Sequence, residues 1–319
     1  FRDLDDANRL LARRARSHHT IVVGGGLLGL EAARGMQRSN TRVTVIEHTD
    51  RLLGRQLDEE ASAILQGDVE SLGIEVVIGD GIAEVGGSDR VDRVTLRSGR
   101  ELQCDTLIVA AGIRPNIALA RGARLAFGRG VHVDDAMRTS DPFIYAVGEC
   151  AEHQGQVYGL VAPGLEQAAV AASDIAQQAS RYAGSVAASR LKVVGTQVFS
   201  MGPMGAGEDP HFGAVHVYRD EAASTYRKIL VRRHRLVGAI GIGEWDESVR
   251  LQTMIGRAER IWPWQVLRCL RTGHIWPASD SQGVVAWPPT SVVCQCTGVT
   301  RGAISEAIAC GAGDADLVA

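Results

Sequence analysis

Two periods of hydrophobic and polar residues run along this chain, one typical of buried strands and one typical of amphipathic helices. Short β-branched runs at residues 21–23 and Arg42–Glu47 predict buried parallel strands. A segment rich in Leu and Ala predicts a helix between them. A second helix is predicted from Leu57 to Leu72, where apolar residues recur at helical spacing until Gly73. This alternation of strands and helices predicts an α/β fold class.

Further elements are predicted where apolar runs meet turn residues. The other predicted strands are residues 74–78, 82–85, 93–96, 101–103, 107–111, 143–147, 192–199, 214–218, 226–232 and 236–242. The other predicted helices are residues 1–16, 163–182 and 247–261. Asp5 or Asp6 is the expected cap of the first of these helices. We expect the strand at residues 107–111 to return to the sheet formed by the earlier strands.

Composition and charge narrow the classes of function. A chain of 319 residues is long enough for two or three domains. Its formal net charge of −3 indicates neither a nucleic acid nor an anionic membrane surface as a partner. No apolar run reaches about 18 residues and no signal peptide opens the chain, so we expect a cytoplasmic protein. Six cysteines are too few for a disulfide scaffold, and a start at Phe1 predicts that residues precede it.

A glycine-rich turn follows the first predicted strand. It has the form Gly24-x-Gly26-x-x-Gly29 and opens the first Leu/Ala-rich helix. Gly24 suits a tight turn, Gly26 lets backbone N–H groups approach a pyrophosphate, and Gly29 lets helix and strand pack closely. The helix N-terminus adds partial positive charge. The spacing therefore favours a dinucleotide site, although such a turn on its own is weak support.

The second predicted strand ends in an acid, Glu47, at the distance from Gly24 where a carboxylate accepts both hydroxyls of an adenosine ribose. Strand, glycine turn, helix, strand and acid together favour nucleotide binding. A Rossmann-like unit that binds nothing is the alternative. Gly112 ends the strand at residues 107–111, where small residues would let backbone pass a bound pyrophosphate. On its own, this stretch is an ordinary strand end.

Gly148 and Glu149 follow the predicted strand at residues 143–147. A carboxylate in that position can bind the hydroxyls of a polyol, such as the ribityl chain of a flavin. The alternative is an ordinary strand with a polar end.

Four segments resemble, in order, the pyridine nucleotide–disulfide oxidoreductase family of flavoproteins: residues 24–29, Glu47, residues 110–116 and residues 139–149. A narrower resemblance is to the NAD(P)H-dependent nitrite reductase large subunit and the electron-transfer subunits of assimilatory nitrate reductases. The segments that carry it are residues 55–58 (Arg-Gln-Leu-Asp), 145–153 and 158–163. Glu149 is typical of that branch, since most of the family has Asp there.

The resemblance implies four domains. A Rossmann-type NAD(P)-binding domain at residues 14–117 is inserted in a FAD-binding domain at residues 1–13 and 118–190. That FAD-binding domain is partial, because its first strand and glycine turn would precede Phe1. An α+β C-terminal interface domain with a Trp/Pro-rich linker spans residues 191–289. The first half of a helical [2Fe-2S] module occupies residues 290–319.

The resemblance also implies the cofactor-binding residues. Glu31 matches an acid that contacts the nicotinamide end of NADH or NADPH in the family, although a helix glutamate facing solvent is the alternative. The expected FAD and NAD(P)H contacts are Gly24, Gly25, Gly26, Leu27, Leu28, Gly29, Glu31, Glu47, Gly112, Gly148 and Glu149. No catalytic side chain is predicted, because the cofactors supply the chemistry.

Cys294 and Cys296 are separated by one residue, so both thiolates could ligate one iron. One such pair is a weak signal, because a cluster needs four ligands. The segment resembles the first half of a bacterioferritin-associated ferredoxin-type [2Fe-2S] module, whose second pair would lie beyond residue 319. Cys310 is too close to count as a ligand. The remaining cysteines are predicted to be ordinary thiols: Cys104, Cys150 and Cys269.

The expected function is therefore an oxidoreductase that passes electrons from NADH via FAD to a [2Fe-2S] cluster and on to nitrite or nitrate reduction. The expected partners are the nicotinamide dinucleotide and a downstream redox centre or subunit, and the interface domain suggests a homodimer. Two alternatives stay open. One is an NAD(H)-binding or assembly fragment without activity of its own. The other is a thiol-dependent NADH oxidase or disulfide reductase, with its cysteine upstream.

The Trp-Pro pairs at residues 262–264, 276–277 and 287–288 indicate a rigid linker or a docking surface.

Overall fold

The computed structural model of the chain describes residues 1–186, 188–202, 213–277, 287–294 and 298–311, with the backbone alone at 190, 191 and 294. Cys296 lies outside the described residues. The chain divides into two compact units. The first consists of Phe1–Gly112 and Ala188–Trp276, and the second of Ile113–Ala187 and Pro277–Ala319. Within the described residues, no helix is long and apolar enough to cross a membrane.

The first unit begins with the elements α1 (Leu4–Arg14), β1 (His19–Val23), α2 (Leu27–Met36), β2 (Arg42–Glu47), α3 (Glu59–Ser71), β3 (Ile74–Ile78), β4 (Ile82–Gly86), β5 (Arg93–Leu96), β6 (Glu101–Gln103) and β7 (Thr106–Val109). Strands β3-β2-β1-β7 form a parallel sheet in that order. Ile21, Val22, Val43 and Val45 are fully buried in it, as β-branched runs in a parallel sheet require. The predicted α/β pattern and the returning strand are confirmed.

The cap of α1 differs from the prediction. Asp3, in extended backbone, accepts a hydrogen bond from the Asp6 backbone N–H at 2.9 Å. Asp5 and Asp6 lie inside the first turn. Only the residue before a helix can fold its side chain back onto the first free N–H groups, so the choice of Asp5 or Asp6 as cap was wrong.

The next elements are α4 (Ala118–Gly122), β8 (Val131–Val133), a 3₁₀ turn (Gly148–Cys150), β9 (Ala151–His153) and α5 (Val161–Ile175). The predicted strand at residues 143–147 is wrong. The Ile144 N–H donates to the Asp141 carbonyl in a turn, Tyr145 forms a single bridge with Arg138, and Phe143 is 92% exposed. Helix α5 ends seven residues before the predicted position 182, because Gln177 adopts left-handed backbone (φ 60°).

The first unit continues with β10 (Ala188–Val193), β11 (Thr196–Met201), β12 (Ala214–Asp220), β13 (Thr225–Arg232), β14 (Arg235–Ile242), α6 (Ser248–Gly256) and α7 (Pro263–Thr272). The five strands form an antiparallel sheet in the order β10-β11-β14-β13-β12. The predicted strand at residues 192–199 is two strands, because Val194 and Gly195 both have positive φ and form a hairpin turn.

The predicted helix at residues 247–261 is shorter, and α7 was missed. Pro263 occupies the first turn of α7, and Gly273 ends it in left-handed backbone (φ 73°). That pairing of Pro at the start and Gly at the end is a usable sequence signal for a helix. The final elements are β15 (Val292–Cys294), β16 (Val299–Thr300) and α8 (Arg301–Ala309).

Within the first unit, the antiparallel sheet packs against α3 and the parallel sheet. One continuous core contains Leu65 of α3 together with Val198 and Ile240 of the antiparallel sheet. Beside this core, Asp58 accepts hydrogen bonds from the Tyr226 hydroxyl and the Lys228 ammonium, each at 2.7 Å. The parallel sheet and the antiparallel sheet therefore share one hydrophobic core, and a buried ion pair joins the start of α3 to β13.

Candidate functional site

The glycine turn lies at the carboxyl end of the parallel sheet, where the strand order reverses. Strands β2 and β3 extend the sheet on one side of β1, and β7 lies on the other. The Gly24 N–H donates to the Ile46 carbonyl at 2.8 Å, and the Ala110 N–H donates to the Val23 carbonyl at 2.8 Å. In open α/β sheets, ligands bind in the crevice at this switch point.

Gly24 and Gly29 are required by the fold itself. Gly24 has φ of 110°, and a Cβ there would lie 2.4 Å from the Ala110 carbonyl oxygen. A Cβ on Gly29 would lie 1.9 Å from the Gly24 carbonyl oxygen. These two glycines allow the sharp turn and the close contact between α2 and β1, as the sequence predicted.

Gly26 is different, because neither its backbone conformation nor a contact within the described protein requires a glycine there. A Cβ built on Gly26 meets no atom within 4 Å, and its φ of −80° suits any residue. Gly26 is also the N-cap of α2, and it provides no side-chain hydrogen bond to the first turn. A small residue beside free helix N–H groups leaves room for an anion such as a pyrophosphate.

Glu47 stands at the end of β2, next to the turn, and is only 8% exposed. Its Oε2 accepts a hydrogen bond from the Gly25 N–H at 2.7 Å. Its Oε1 accepts from the Thr49 N–H and the Thr49 hydroxyl, both at 2.8 Å, and lies 2.9 Å from His48 Nδ1. Burial raises the pKa of this carboxyl, but the hydrogen bonds donated by Thr49 and Gly25 lower it by more than burial raises it. The net pKa lies below the ordinary value for Glu, so Glu47 is ionised at neutral pH. Oε2 keeps one free acceptor position for a ligand hydroxyl.

The basic residues that follow Glu47 are already engaged. Arg51 forms an ion pair with Asp50 at 2.6 Å, and this bond raises the pKa of Arg51. His48 contacts Glu47 itself. A 2′-phosphate placed near Glu47 would therefore meet a carboxylate, and the guanidinium of Arg51 is already paired with Asp50.

The other expected nucleotide contacts lie on α2 or just after β7. Leu27 is half-buried, and Leu28 and Glu31 are exposed on α2. Gly112 is exposed in left-handed backbone (φ 99°), and a Cβ there would meet no atom within 4 Å. The exposure of Glu31 allows both a ligand contact and the solvent-facing alternative.

In the second unit, Gly148 and Glu149 begin the 3₁₀ turn. Gly148 has φ of 80°, and its N–H donates to Gln167 Oε1 at 2.8 Å. The N-terminus of α5 lies against this turn, since a Cβ on Gly164 would be 3.2 Å from Gly148 Cα. The α5 N-cap, Leu160, makes no side-chain hydrogen bond to the first turn. A glycine turn beside an uncapped helix start fits part of a flavin site.

Sequence reasoning missed Gln167 and Thr49. Gln167 is buried and aligns the 3₁₀ turn, a role that depends on how α5 packs and leaves no local signal. Thr49, two residues after Glu47, could have been noticed, because Thr commonly bonds to a neighbouring acceptor in turns.

The cysteines give no metal site among the described residues. No group of three or more His, Cys, Asp or Glu side chains there is arranged to hold a metal ion. Of Cys294 only the backbone, in β15, is described. Burial raises the pKa of the thiols of Cys104 and Cys269, the latter to about 12, so these two are inert buried residues, as predicted.

Comparison with known proteins places these features in a family. The model for pyridine nucleotide-disulphide oxidoreductases matches residues 1–174. The rubredoxin NAD+ reductase C-terminal domain matches residues 188–259. A crystal structure of a ferredoxin reductase from Rhodopseudomonas palustris superposes with a TM-score of 0.73 at 26% identity, over 83% of this chain and 66% of that one. These matches support a Rossmann-type α/β fold followed by a reductase-type C-terminal domain.

Two curated relatives come from Bacillus subtilis. The chain is 38% identical over 312 residues to a nitrite reductase (NAD(P)H), covering 97% of this chain and 38% of that protein. It is 36% identical over 309 residues to an assimilatory nitrate reductase electron transfer subunit, covering 97% of this chain and 39% of that protein. The chain thus spans less than half the length of these relatives. Because the family model covers more than half of the chain, including the glycine turn and the parallel sheet, the chain belongs to the pyridine nucleotide-disulphide oxidoreductase family.

Proposed function

We propose that this chain is part of an NAD(P)H-dependent, FAD-containing oxidoreductase. It would pass electrons from NADH via FAD to a [2Fe-2S] cluster and on to nitrite or nitrate reduction. The observation that carries the proposal is the pairing of an open glycine position, Gly26, with an ionised carboxylate, Glu47, held by the same turn. The similarity to a nitrite reductase and to a nitrate reductase electron transfer subunit supports the same class of reaction.

The glycine turn would bind the dinucleotide. The free N–H groups at the start of α2 would bind the pyrophosphate, with Gly26 giving it room. Glu47 Oε2 would accept one ribose hydroxyl. The residues proposed to surround the nucleotide are Gly24, Gly25, Gly26, Leu27, Leu28, Gly29, Glu31, Glu47 and Gly112. Most of these residues are glycines or leucines, which would contribute backbone groups and apolar contacts and no reactive side chain. The role of the protein would therefore be to bind and orient the nicotinamide.

NADH is the preferred donor in this proposal. A 2′-phosphate near Glu47 would be repelled by about 1–4 kcal/mol at about 4 Å, for effective dielectric constants from 80 down to 20. Arg51 offers little compensation, because Asp50 already pairs with it. The preference therefore rests on Glu47.

The second unit would supply part of the flavin site. Gly148 and Glu149 would lie along the ribityl chain, and the uncapped start of α5 would face the anionic edge of the flavin. When bound, FAD accepts a hydride from the nicotinamide and releases electrons singly. Cys294 and Cys296 would be two of the four cluster ligands. A downstream redox centre or subunit as partner, a homodimer through the C-terminal interface domain, and a cytoplasmic location complete the proposal.

Gly26→Ala tests the nucleotide site. The added methyl group meets nothing in the protein, so far-ultraviolet circular dichroism and the unfolding midpoint should stay unchanged. The methyl group would occupy the space of the pyrophosphate, so NADH binding measured by calorimetry should weaken by at least about tenfold, or about 1.4 kcal/mol.

The matched control is Gly35→Ala on the same helix. Its Cβ also meets nothing within 4 Å, but Gly35 lies more than two helical turns from Gly26. This variant should bind NADH like the unchanged chain. Equal NADH affinity in Gly26→Ala and Gly35→Ala would contradict the proposed site.

A further inference from the structure

Helix α7 of the first unit has an exposed apolar face. Gln265 and Cys269 are buried on its inner side. The opposite side, at the spacing expected for one helical face, carries Trp264, Leu267 and Leu270. Helices on a protein surface normally carry polar residues on that side. The face of α7 formed by Trp262, Trp264, Leu267, Leu270 and Arg271 is called the α7 face below.

The exposure of the α7 face is large. The exposed fractions are 54% for Trp262, 55% for Trp264, 49% for Leu267 and 41% for Leu270. Trp is the residue most enriched at the energetic centres of protein interfaces, and exposed apolar residues grouped in this way mark interaction sites. Gln265 Oε1 accepts the Trp262 N–H at 2.9 Å, so the first turn that carries both tryptophans is held rigidly.

The segment that contains the α7 face is rich in arginine. Residues 248–277 contain five Arg, no Lys and a single acid, Glu259, in a chain whose formal net charge is −3. Arg271 lies among the exposed apolar residues, and Arg260 stacks over the Trp262 ring at 5.6 Å. Among the described residues, neither Arg260 nor Arg271 forms an ion pair, and Glu259 lies near Arg257 at 3.9 Å. The surface therefore combines exposed aromatic rings with two arginines, Arg260 and Arg271, that have no ion-pair partner in the described part of the chain.

This charge decides between possible occupants. A second copy of the same face would bring its arginines together, which costs several kcal/mol. A lipid surface offers Arg271, in the last turn of α7, a diffuse negative potential and no fixed planar carboxylates. A protein surface with apolar residues flanked by carboxylates satisfies both the tryptophans and Arg271, through bidentate hydrogen bonds.

We propose that the α7 face docks a partner protein through an amphipathic helix whose apolar stripe is bordered by Asp or Glu. Trp264 and Leu267 would provide the apolar contact and Arg271 the pairing with carboxylate. The inference concerns a surface outside the nucleotide site and does not depend on the proposed function. It also favours docking over a purely rigid linker for residues 262–264.

A pair of synthetic peptides tests the proposal on the unaltered chain. One is an amphipathic helix with Leu at positions i, i+3, i+4 and i+7 and Glu beside them, and the other has Lys in place of Glu. Neither contains Trp, so a blue shift of protein tryptophan emission reports binding to the face. The Glu peptide should bind at least about tenfold more tightly than the Lys peptide.

Variants assign the binding to the α7 face. Trp264→Ala and Arg271→Glu should each weaken binding of the Glu peptide at least about tenfold, as measured by anisotropy of a labelled peptide. Leu119→Ala and Arg90→Glu change an exposed leucine and an exposed arginine elsewhere, and they should have no effect. Circular dichroism should be the same for all four variants, because the side chains changed are exposed.

Three results would overturn the proposal. Equal binding of both peptides would show an apolar contact without charge recognition. Binding to phosphatidylglycerol vesicles, lost in Trp264→Ala, without binding of the Glu peptide would show a membrane site. Self-association in sedimentation experiments, abolished by Trp264→Ala, would show that the face pairs with a second copy.

Discussion

Replacing Asp58 by Ala should destabilise the first unit strongly, because one carboxylate serves three partners. Asp58 Oδ1 caps α3 by accepting the Ala61 N–H at 3.0 Å. Its Oδ2 accepts from the Tyr226 hydroxyl and the Lys228 ammonium, each at 2.7 Å. The Asp58 and Lys228 side chains are 18% and 10% exposed, so water cannot replace the carboxylate easily.

The magnitude follows from these contacts. Losing an N-cap costs about 0.5–2 kcal/mol, and a buried hydroxyl without its acceptor costs about 1–3 kcal/mol. Removing one partner of a buried ion pair costs about 3–5 kcal/mol, because the Lys228 charge is left buried and unpaired. The three effects share one carboxylate and do not add. We expect Asp58→Ala to lower the free energy of unfolding by about 3–5 kcal/mol.

A double-mutant cycle with Lys228→Met isolates the ion pair. Removing both charges leaves no unpaired ion, so Asp58→Ala/Lys228→Met should be more stable than Asp58→Ala alone by about 2 kcal/mol. Urea unfolding followed by the fluorescence of Trp245, which is buried in the same unit, measures each free energy. The matched control is the exposed pair of Glu60 and Arg219, where Glu60→Ala should cost at most about 1 kcal/mol.

Two outcomes would refute this reasoning. A cost below about 1 kcal/mol for Asp58→Ala would show that the buried carboxylate is not needed. A coupling energy below about 0.5 kcal/mol would show that Asp58 and Lys228 act independently.

The pH dependence of stability, which follows from the pKa of Asp58, offers a second check. Burial raises this pKa, but bonds from Lys228, Ala61 and Tyr226 lower it below its ordinary value. The contribution of Asp58 should therefore be complete above about pH 4 and be lost as the pH falls further.

Three further predictions concern the parallel sheet and its turn. NADH should bind more tightly than NADPH, and Glu47→Ala should narrow or reverse the difference; equal dissociation constants, unmoved by the mutation, would show that Glu47 does not reach the ribose. Gly29→Ala should lower the unfolding temperature, because its Cβ would overlap the Gly24 carbonyl. The control Gly67→Ala, in an open position on α3, should leave the unfolding temperature unchanged or raise it. An unfolding temperature of Gly29→Ala equal to that of the unchanged chain would show that the close approach of α2 to the turn does not limit stability. Burial raises the pKa of Glu75, but hydrogen bonds from arginine and threonine outweigh it and lower the pKa from 4.5 to about 2. The stabilising effect of Glu75 should therefore fade as the pH falls from about 4.5 to about 2. Glu75→Gln should flatten the pH dependence of the free energy of unfolding in that range.

Patterns among neighbouring residues determined much of the fold. The β-branched runs of β1 and β2 and the Gly24-x-Gly26-x-x-Gly29 turn predicted the parallel sheet and its tight turn correctly, because local backbone preferences and side-chain alternation depend on residues close in sequence. The same kind of pattern failed at residues 143–147. Their apolar residues suggest a strand, but a strand needs a continuous neighbour, and here the backbone forms a turn at Asp141–Ile144 and then one isolated bridge between Tyr145 and Arg138.

The sequence alone also indicated Glu47 as a ribose acceptor and Gly26 as an open position. Only the tertiary structure decided that Gly25 holds the carboxylate, that Asp58 meets Lys228 across 170 positions, and that α7 turns its tryptophans outward. The reason is physical. Each of these features depends on which surfaces pack together, and a contact between residues far apart in sequence leaves no periodic signal in either segment.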